Sequence, residues 1–326
     1  MGRPALPARP AVPPLRTVLF AAGSDPAELQ RALASGADAV IIDLEEPQTP
    51  MTERVRERAR AVVAELLDAQ PAFDPATASG AGARRPVLFC RVQPARTGGL
   101  WKDLMACLRP ALAGVVVPKS YGPDDVVAAD AVVTNAEAEA GRALGSLWFY
   151  PIFETAEAIR NAYAVAMASR RVVYMGGAVS RFGDIHQALG YRWTGPGTET
   201  LWLRSKLLVD ARAAGVRYPI SGMWGGANDD LDGLRSFGTE LRDLGYYGMM
   251  LGNPDHIGIV HELFTPSPAE VAYWADLVRL GDEAMRTGEG PVLYGDPNQG
   301  EGHVVHGAHV ESARLNLEWA TALGLA

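Results

Sequence analysis

Short apolar runs alternate with helical patterns eight times along this sequence. The runs occupy residues 17–22, 39–44, 86–92, 114–118, 147–153, 172–178, 218–224 and 247–251. Each run has the length of a strand, and continuous apolar character is typical of strands that are buried on both faces of a parallel sheet. Eight strand-helix units predict an α/β fold, a (β/α)8 TIM barrel with a C-terminal helical extension. A doubly wound sheet is the alternative, but it gives no reason for the polar residues that follow nearly every run.

Composition and pattern divide the chain into three regions. Residues 1–15 contain five prolines in their first fourteen positions and lack the apolar core of a signal peptide, which predicts a disordered or extended arm. Residues 16–264 form the predicted barrel, with a linker at 73–85 that we interpret as a mobile loop. Residues 265–326 form the predicted extension, in which 302–312 indicates a hairpin-like pair and 312–323 a final helix. We expect this extension to pack on the barrel mouth or on a neighbouring subunit.

Charge and cysteine content exclude several classes of protein. The formal charge is -8, and the basic residues are scattered along the chain. Because nucleic-acid binding needs a basic face that neutralises phosphates, no nucleic-acid partner is expected. No apolar run approaches the roughly 18 residues of a membrane span. Cys90 and Cys107 lack the pattern of a disulfide framework or a metal set, so we expect two buried thiols in a cytoplasmic protein without a membrane partner.

Polar side chains follow the predicted strands at their carboxyl ends, where (β/α)8 barrels place their chemistry. These residues are Asp43, Glu45, Arg91, Lys119, Glu154, Asp184 and Asn253. Glu154 and Asp184 follow neighbouring strands, and one or two carboxylates plus water and substrate oxygens are enough to hold Mg2+. The pattern therefore predicts a magnesium site at these two residues. The alternative is that both carboxylates only stabilise helix N-termini, where acidic residues are favoured.

A metal at this position suits a chelating substrate such as a 2-oxo acid, whose carbonyl group the ion would polarise. Arg91 is a candidate donor to the same oxygen as negative charge develops on an enolate or alkoxide. Together these groups favour reversible carbon–carbon bond formation. Alternatively, Arg91 pairs with Asp43 or Glu45 as an interior salt bridge, and those carboxylates orient metal-bound water. Lys119 is either a Schiff-base lysine or an ion-pair partner.

Several segments together resemble the HpcH/HpaI aldolase and citrate lyase beta-subunit (CitE-like) family, from residue 17 to about residue 323. VLFAAGSDPAELQRALASGADAVIIDLEE is similar to the family's opening unit, and LFCRVQP to its arginine strand. FETAEAI resembles the segment with its metal-binding glutamate, FGDIHQALG the segment with its metal-binding aspartate, and LGYYGMMLGNPDHIGIVHELFTPS its eighth unit. Each motif is weak by itself, but their order and spacing are specific.

The resemblance implies a lyase or aldolase that uses Mg2+, with Mn2+ as the alternative ion. Its substrate would be a 3-hydroxyacyl-CoA thioester of the malyl-CoA or citramalyl-CoA type. Arg91 would contact the 2-oxo acid, Glu154 and Asp184 would bind the metal, and Asp43 and Glu45 would lie close behind. A homotrimer or homohexamer is implied, in which a C-terminal aspartate of one subunit is the acid/base group at its neighbour's site.

Some residues depart from the family pattern. Glu311, in GAHVESARL, stands where the C-terminal aspartate is usual and is one methylene longer. Asn253 stands where histidine is common, so the acyl partner is expected to be unusual. His186 and His256 are further candidate bases, although His186 is more readily a polar wall residue. Two alternatives to a CoA lyase stay open: a free-acid 4-hydroxy-2-oxo acid aldolase, and a non-catalytic barrel subunit of a lyase complex.

Overall fold

The computed structural model of the chain describes residues 9–75, 85–288, 292–295 and 302–326. They form two compact units, the first ending at Phe264 and the second running from Thr265 to Ala326. Residues 1–8 of the predicted arm and 76–84 of the predicted linker lie outside the described residues.

The first unit contains eight parallel strands, each followed by at least one helix. The strands are β1 (Thr17–Ala22), β2 (Ala39–Asp43), β3 (Val87–Arg91), β4 (Gly114–Val117), β5 (Trp148–Phe153), β6 (Gly176–Gly177), β7 (Ile220–Met223) and β8 (Gly248–Leu251). The helices are α1 (Pro26–Ala34), α2 (Glu53–Asp68), α3 (Leu100–Cys107), α4 (Pro123–Glu139), α5 (Ala156–Arg160), α6 (Ala162–Met167), α7 (Asp184–Leu189), α8 (Thr198–Ala213), α9 (Leu231–Leu244) and α10 (Ile257–Phe264). Short 3-10 turns at Ala95–Thr97 and Pro254–His256 complete the unit.

The eight strands form a nearly closed barrel. Their ladders connect in the order β6-β5-β4-β3-β2-β1-β8-β7. The gap between β6 and β7 is bridged by backbone hydrogen bonds from Ile220 N–H to Met175 O (3.1 Å) and from Met223 N–H to Val179 O (3.2 Å). A Cβ at Gly222 would lie 2.2 Å from Val179 O, so this close approach requires glycine. The predicted (β/α)8 TIM barrel is confirmed.

The sixth strand is shorter than the apolar run that predicted it. Within 172–178, Val172 makes an isolated bridge to Phe149, and only Gly176–Gly177 forms a ladder with β5. Ala178, directly after β6, has a φ of 65°, which is left-handed backbone that ends an extended strand. The chain therefore leaves the barrel wall early, and the loop after β6 joins the site described below.

Large aromatic side chains fill the inside of the barrel. Phe89, Tyr150 and Tyr174 are fully buried, and their ring centroids lie between 5.6 and 5.9 Å apart. A larger apolar cluster joins the outward-facing residues of the strands to the surrounding helices. The interior is therefore a packed core, as in other barrels of this type.

Residues 9–15, the described part of the arm predicted to be disordered or extended, contact the barrel. The Tyr174 hydroxyl donates to Pro13 O (2.6 Å), and Arg9 donates to barrel carbonyl oxygens that include those of Ala166 and Val172. These partners lie 157 to 163 positions further along the chain, so composition alone did not reveal them. Proline also restricts the backbone, which lowers the entropy lost when the segment becomes ordered.

The described residues of the second unit form two helices and a small antiparallel sheet. They are α11 (Pro268–Thr287), α12 (Gly307–Ala322), β9 (Leu293–Gly295) and β10 (Gly302–Val304), with β9 paired to β10. The hairpin predicted within 302–312 is therefore wrong, because its first residues pair with β9 and its last residues begin α12. In the described parts of the chain, no helix is long and apolar enough to cross a membrane.

Candidate active site at the carboxyl ends of the strands

Arg91 and Asp43 end the adjacent strands β3 and β2 in register with each other. The Arg91 guanidinium donates from Nε to Asp43 Oδ1 (2.9 Å) and from Nη2 to Oδ2 (2.6 Å), and its Nη1 lies 3.3 Å from Glu45 Oε2. Burial disfavours the charged guanidinium, but the Asp43 and Glu45 carboxylates raise the pKa of Arg91 above the ordinary arginine value. Arg91 is therefore a permanently charged donor that a bidentate ion pair holds in one orientation.

Asp43 also shapes the loop that follows β2. Its Oδ1 accepts the backbone N–H groups of Glu45 (3.0 Å) and Glu46 (3.2 Å), which is a local side-chain-to-backbone turn. Pro47 comes next, and the residue before a proline is restricted to extended backbone. As a result the Glu45 side chain is buried, whereas 51% of the Glu46 side chain is exposed.

Lys119, directly after β4, links several carboxylates. Its backbone has a φ of 47°, in the left-handed region, and its N–H donates to Glu154 Oε1 (2.7 Å). Its Nζ lies 2.8 Å from Glu45 Oε1, 2.6 Å from Glu46 Oε1 and 3.7 Å from Asp184 Oδ2. Partial burial disfavours the charged ammonium, but the Glu45 and Glu46 carboxylates raise the pKa of Lys119. A lysine held in its charged form argues against the Schiff-base alternative, because that chemistry needs the neutral amine.

Glu154 and Asp184 line one cavity of about 300 Å³. Glu154 follows β5 and is 8% exposed, whereas Asp184 begins α7, two residues after Phe182 in left-handed backbone (φ 63°). Burial raises the pKa of Glu154 to about 7; Arg91 opposes this shift, and the carboxylates of Asp184 and Glu45 reinforce it. Two cationic side chains therefore do not fully compensate the buried carboxylates of this site.

Carboxylates with incomplete charge compensation suit a hard divalent cation. Mg2+ takes oxygen ligands, usually one or two protein carboxylates with water and substrate oxygens in the other positions. Among the described residues, no group of three or more His, Cys, Asp or Glu side chains has the arrangement of a metal site built from protein alone. The residues present fit Mg2+ or Mn2+ bound by Glu154 and Asp184 with substrate oxygens, because a cation offsets the cost of ionising Glu154.

The cavity has a charged side and an apolar side. Within the described part of the chain, its ionisable wall residues are Glu46, Arg91, Glu154, Arg181 and Asp184. Its apolar wall residues include Phe20, Ile152, Phe182, Met223 and Met250. Such a cavity can bind the acid group of a small substrate on one side and exclude water from the other.

The structure brings together most of the side chains that the strand-end rule selected. Asp43 and Glu45 lie against Arg91, and Glu45 also contacts Lys119, but neither carboxylate belongs to the cavity wall among the described residues. Glu46, which the sequence did not single out as a site residue, is in the wall. Its signal in the sequence is Glu46-Pro47, which stands where the resemblance to the family implies Asp-Ala near the mouth.

The other candidates have different environments. Asn253 accepts the N–H of Asp255 (3.0 Å) and so caps the turn after β8. His186 packs edge-on against Tyr191 at 4.9 Å between ring centroids, and buried His256 lies 2.9 Å from Asn228 O through Nε2. Glu311 belongs to the second unit, where its exposed carboxylate lies 3.4 Å from Arg314 Nε on the same helix.

The barrel and the ionic cavity at its carboxyl ends define a TIM-barrel enzyme. The chain belongs to the HpcH/HpaI aldolase/citrate lyase family, whose profile matches residues 16–254. It is accordingly a carbon–carbon lyase.

Two relatives match nearly their whole length. Citrate lyase subunit beta of Haemophilus influenzae is 27% identical over 305 residues, covering 94% of this chain and 96% of that protein. L-malyl-CoA/beta-methylmalyl-CoA lyase of Cereibacter sphaeroides is 27% identical over 334 residues, covering 96% and 95%. The crystal structure of CitE from Mycobacterium tuberculosis with magnesium, acetoacetate and coenzyme A has a TM-score of 0.63 and 21% identity, covering 95% of this chain and 99% of that one. This structural likeness supports the fold alone.

Proposed function

We propose that this protein is a divalent-metal-dependent lyase that cleaves or forms the bond between an enolate carbon and the carbonyl carbon of a 2-oxo acid. The observation that carries the proposal is that Glu154, Asp184 and Arg91 line one cavity at the carboxyl ends of the barrel strands. Two oxygen-donor side chains beside a fixed guanidinium are suited to a substrate with adjacent carboxylate and carbonyl oxygens.

Each residue has a distinct part in this proposal. Glu154 and Asp184 hold Mg2+ or Mn2+, which when bound polarises the substrate carbonyl. Arg91 donates to the substrate oxygen on which negative charge develops. Asp43 and Glu45 act through Arg91, because their carboxylates fix the plane of its guanidinium.

The acyl partner that we propose is a CoA thioester of the malyl-CoA or citramalyl-CoA type. The name of the malyl-CoA lyase relative and the coenzyme A in the CitE crystal structure support this choice. We further propose a homotrimer or homohexamer, in which Glu311 on the extension of one subunit serves the site of its neighbour.

A free-acid 4-hydroxy-2-oxo acid aldolase is the second candidate. It is favoured by the observation that both carboxylates and the arginine belong to the barrel unit, so the metal and the 2-oxo acid do not require the second unit. A subunit that works only in a complex is the third candidate, and the citrate lyase subunit beta relative supports it.

The test measures the purified protein alone with Mg2+, supplied either with acetyl-CoA and glyoxylate or with pyruvate and glyoxylate. Glu154→Ala and Asp184→Ala should each lower turnover by about 10³-fold or more, because a Lewis-acid ion contributes several kcal/mol. Glu157→Ala is the matched control, since Glu157 is exposed on α5. Full activity of the wild type after treatment with EDTA would contradict metal dependence.

The same assay separates the candidates. Product from acetyl-CoA, CoA binding by calorimetry and slower turnover in Glu311→Ala support the CoA lyase. Product from pyruvate without any CoA binding supports the free-acid aldolase. No product from either mixture, with Mg2+ still bound, supports a subunit that needs a complex.

A further inference from the structure

Glu46 is the cavity carboxylate that the proposed function leaves without a role. Of the described ionisable wall residues, Glu154 and Asp184 are assigned to the metal and Arg91 to the substrate oxygen, and Arg181 has a side chain that donates hydrogen bonds and accepts none. Glu46 combines a place in the wall with a side chain that is 51% exposed, so a bound substrate can reach it.

The position of Glu46 is fixed from two directions. Its backbone N–H donates to Asp43 Oδ1 (3.2 Å), and Pro47 restricts its backbone to extended conformations. Its carboxylate lies 2.6 Å from Lys119 Nζ through Oε1 and 4.0 Å from Arg91 Nη2 through Oε2. The carboxylate therefore lies in the cavity wall beside the guanidinium to which the proposed function assigns the substrate oxygen.

We propose that Glu46 is the proton-transfer group of the reaction, supplied by the same subunit that holds the metal ligands. The inference rests on the proposed function and adds one catalytic residue to it. It differs from the role expected for Glu311, because Glu46 belongs to the barrel unit and Glu311 to the second unit.

The step balances in the cleavage direction without any additional reactant. The Glu46 carboxylate takes the proton of the substrate hydroxyl, and the O–H electrons form the carbonyl bond of the 2-oxo acid. The carbon–carbon bond breaks, and its electrons pass into the enolate of the acyl fragment. The proton on Glu46 then returns to the enolate carbon, which restores the carboxylate.

Neighbouring groups are less suited to this role. Glu45 is buried and, among the described residues, does not belong to the cavity wall. The ammonium of Lys119 has carboxylates of Glu45 and Glu46 within 2.8 Å, so it serves to hold Glu46 in place.

The experiment measures enolisation, which is a partial reaction that needs no complete turnover. Full-length protein with Mg2+ in D2O is given either pyruvate, or acetyl-CoA with oxalate in place of the 2-oxo acid. Loss of the methyl proton signal is followed by proton NMR. Glu46→Gln should slow the exchange by about 100-fold or more, the usual contribution of a general acid or base. Glu57→Gln on the exposed face of α2 is the matched control, and its exchange should equal that of the wild type.

Two further measurements distinguish proton transfer from a structural effect. Glu46→Ala should regain part of its exchange rate when formate is added, since a small carboxylate can enter the exposed position. Mg2+ affinity by calorimetry should be unchanged in Glu46→Gln.

Each contrary outcome overturns a defined statement. Wild-type exchange rates in Glu46→Gln, or no rescue of Glu46→Ala by formate, would overturn the role of Glu46 alone. A wild type that binds no Mg2+ and exchanges neither probe would overturn the proposed function, and the role of Glu46 with it.

Discussion

Two ionic clusters of the barrel unit, each with buried carboxylates, differ in how completely their charges are compensated. The mouth cluster consists of Asp43, Glu45, Glu46, Arg91, Lys119, Glu154 and Asp184, which are five carboxylates and two cationic groups. The outer network consists of Asp130, Thr134, Glu137, Ser169 and Arg171, which connects α4 to the segments before β5 and β6.

In the outer network, donors surround both carboxylates. Arg171 donates to Glu137 through two nitrogens, at 2.8 and 2.7 Å, and the backbone N–H groups of Leu147 (2.8 Å) and Gly145 (2.7 Å) donate to the same carboxylate. Burial disfavours the charge on Glu137, but these bonds lower its pKa below the ordinary glutamate value. The charge of Glu137 is therefore compensated within the protein, and the outer network has a structural role.

In the mouth cluster, burial outweighs the favourable contacts, and the carboxyl pKa values are raised instead of lowered. Burial raises the pKa of both Glu45 and Glu154, although Arg91 opposes the shift at each of them. Glutamate and arginine residues thus form both clusters. In the outer network the glutamate charge is fully compensated by protein groups, whereas in the mouth cluster an added cation would stabilise the buried carboxylates. This contrast separates structural ion pairs from a candidate binding site better than a count of charges does.

The largest expected effect comes from removing the cation of the outer network. Arg171→Gln should lower the free energy of unfolding by about 3–5 kcal/mol, because it leaves the buried carboxylate of Glu137 and the half-buried carboxylate of Asp130 without their partner. Urea unfolding measures the loss, and turnover of the folded protein should be unchanged. Arg160→Gln is the control, because Arg160 is exposed on α5 and its replacement should cost less than about 0.5 kcal/mol. A similarly small loss of stability in Arg171→Gln would show that the ion pairs of the outer network do not stabilise the fold.

The same substitution at two glutamates should have opposite effects on stability. At about pH 8 without metal, Glu137→Gln should destabilise the barrel by about 1–3 kcal/mol, whereas Glu154→Gln should stabilise it by a comparable amount. The reason is that the charge of Glu137 is paired, whereas the charge of Glu154 is buried at a net cost.

Bound metal should reverse the order of stability of the wild type and Glu154→Gln. At 100 times its Kd, Mg2+ should stabilise the wild type by about 2.7 kcal/mol, and it should stabilise Glu154→Gln much less. Urea unfolding with Mg2+ or with EDTA tests both statements. Destabilisation of metal-free Glu154→Gln would show that its charge is compensated after all.

The order of the strands and the clustering of several strand-end side chains could be predicted from the sequence because both follow from local rules. The run at 17–22 coincides with β1, and the strand-end rule selected Arg91, Glu154 and Asp184, which line one cavity. The shortened β6 could not be predicted, because the left-handed backbone at Ala178 is not apparent from an apolar run. These successes need only periodicity, whereas the failure concerns a backbone conformation that the rest of the fold imposes.

The roles of individual acidic residues were harder to predict than their location. Glu45 and Glu46 are adjacent and chemically identical, and only the turn formed by Asp43 decides that Glu46 reaches the cavity wall. The packing of Arg9 depends on carbonyl oxygens that are distant in sequence, which no local pattern reveals.

The smallest expected effect tests whether single hydrogen bonds in the outer network act through charge. The Ser169 hydroxyl donates to Asp130 Oδ2 (2.6 Å), and although burial opposes it, this bond and the Arg171 ion pair lower the pKa of Asp130 from 3.8. Ser169→Ala should therefore lower the free energy of unfolding by about 1 kcal/mol at neutral pH. A lowered carboxyl pKa contributes stability that is present above the unfolded pKa and is lost as the pH falls through the folded pKa. The difference between Ser169→Ala and wild type in urea unfolding should accordingly shrink below pH 3.8, while Ser236→Ala on the exposed face of α9 should show no difference at any pH. A loss of stability in Ser169→Ala that stays constant with pH would mean that the hydroxyl stabilises the barrel by packing. The charges of the outer network would then contribute less to stability than its contrast with the mouth cluster implies.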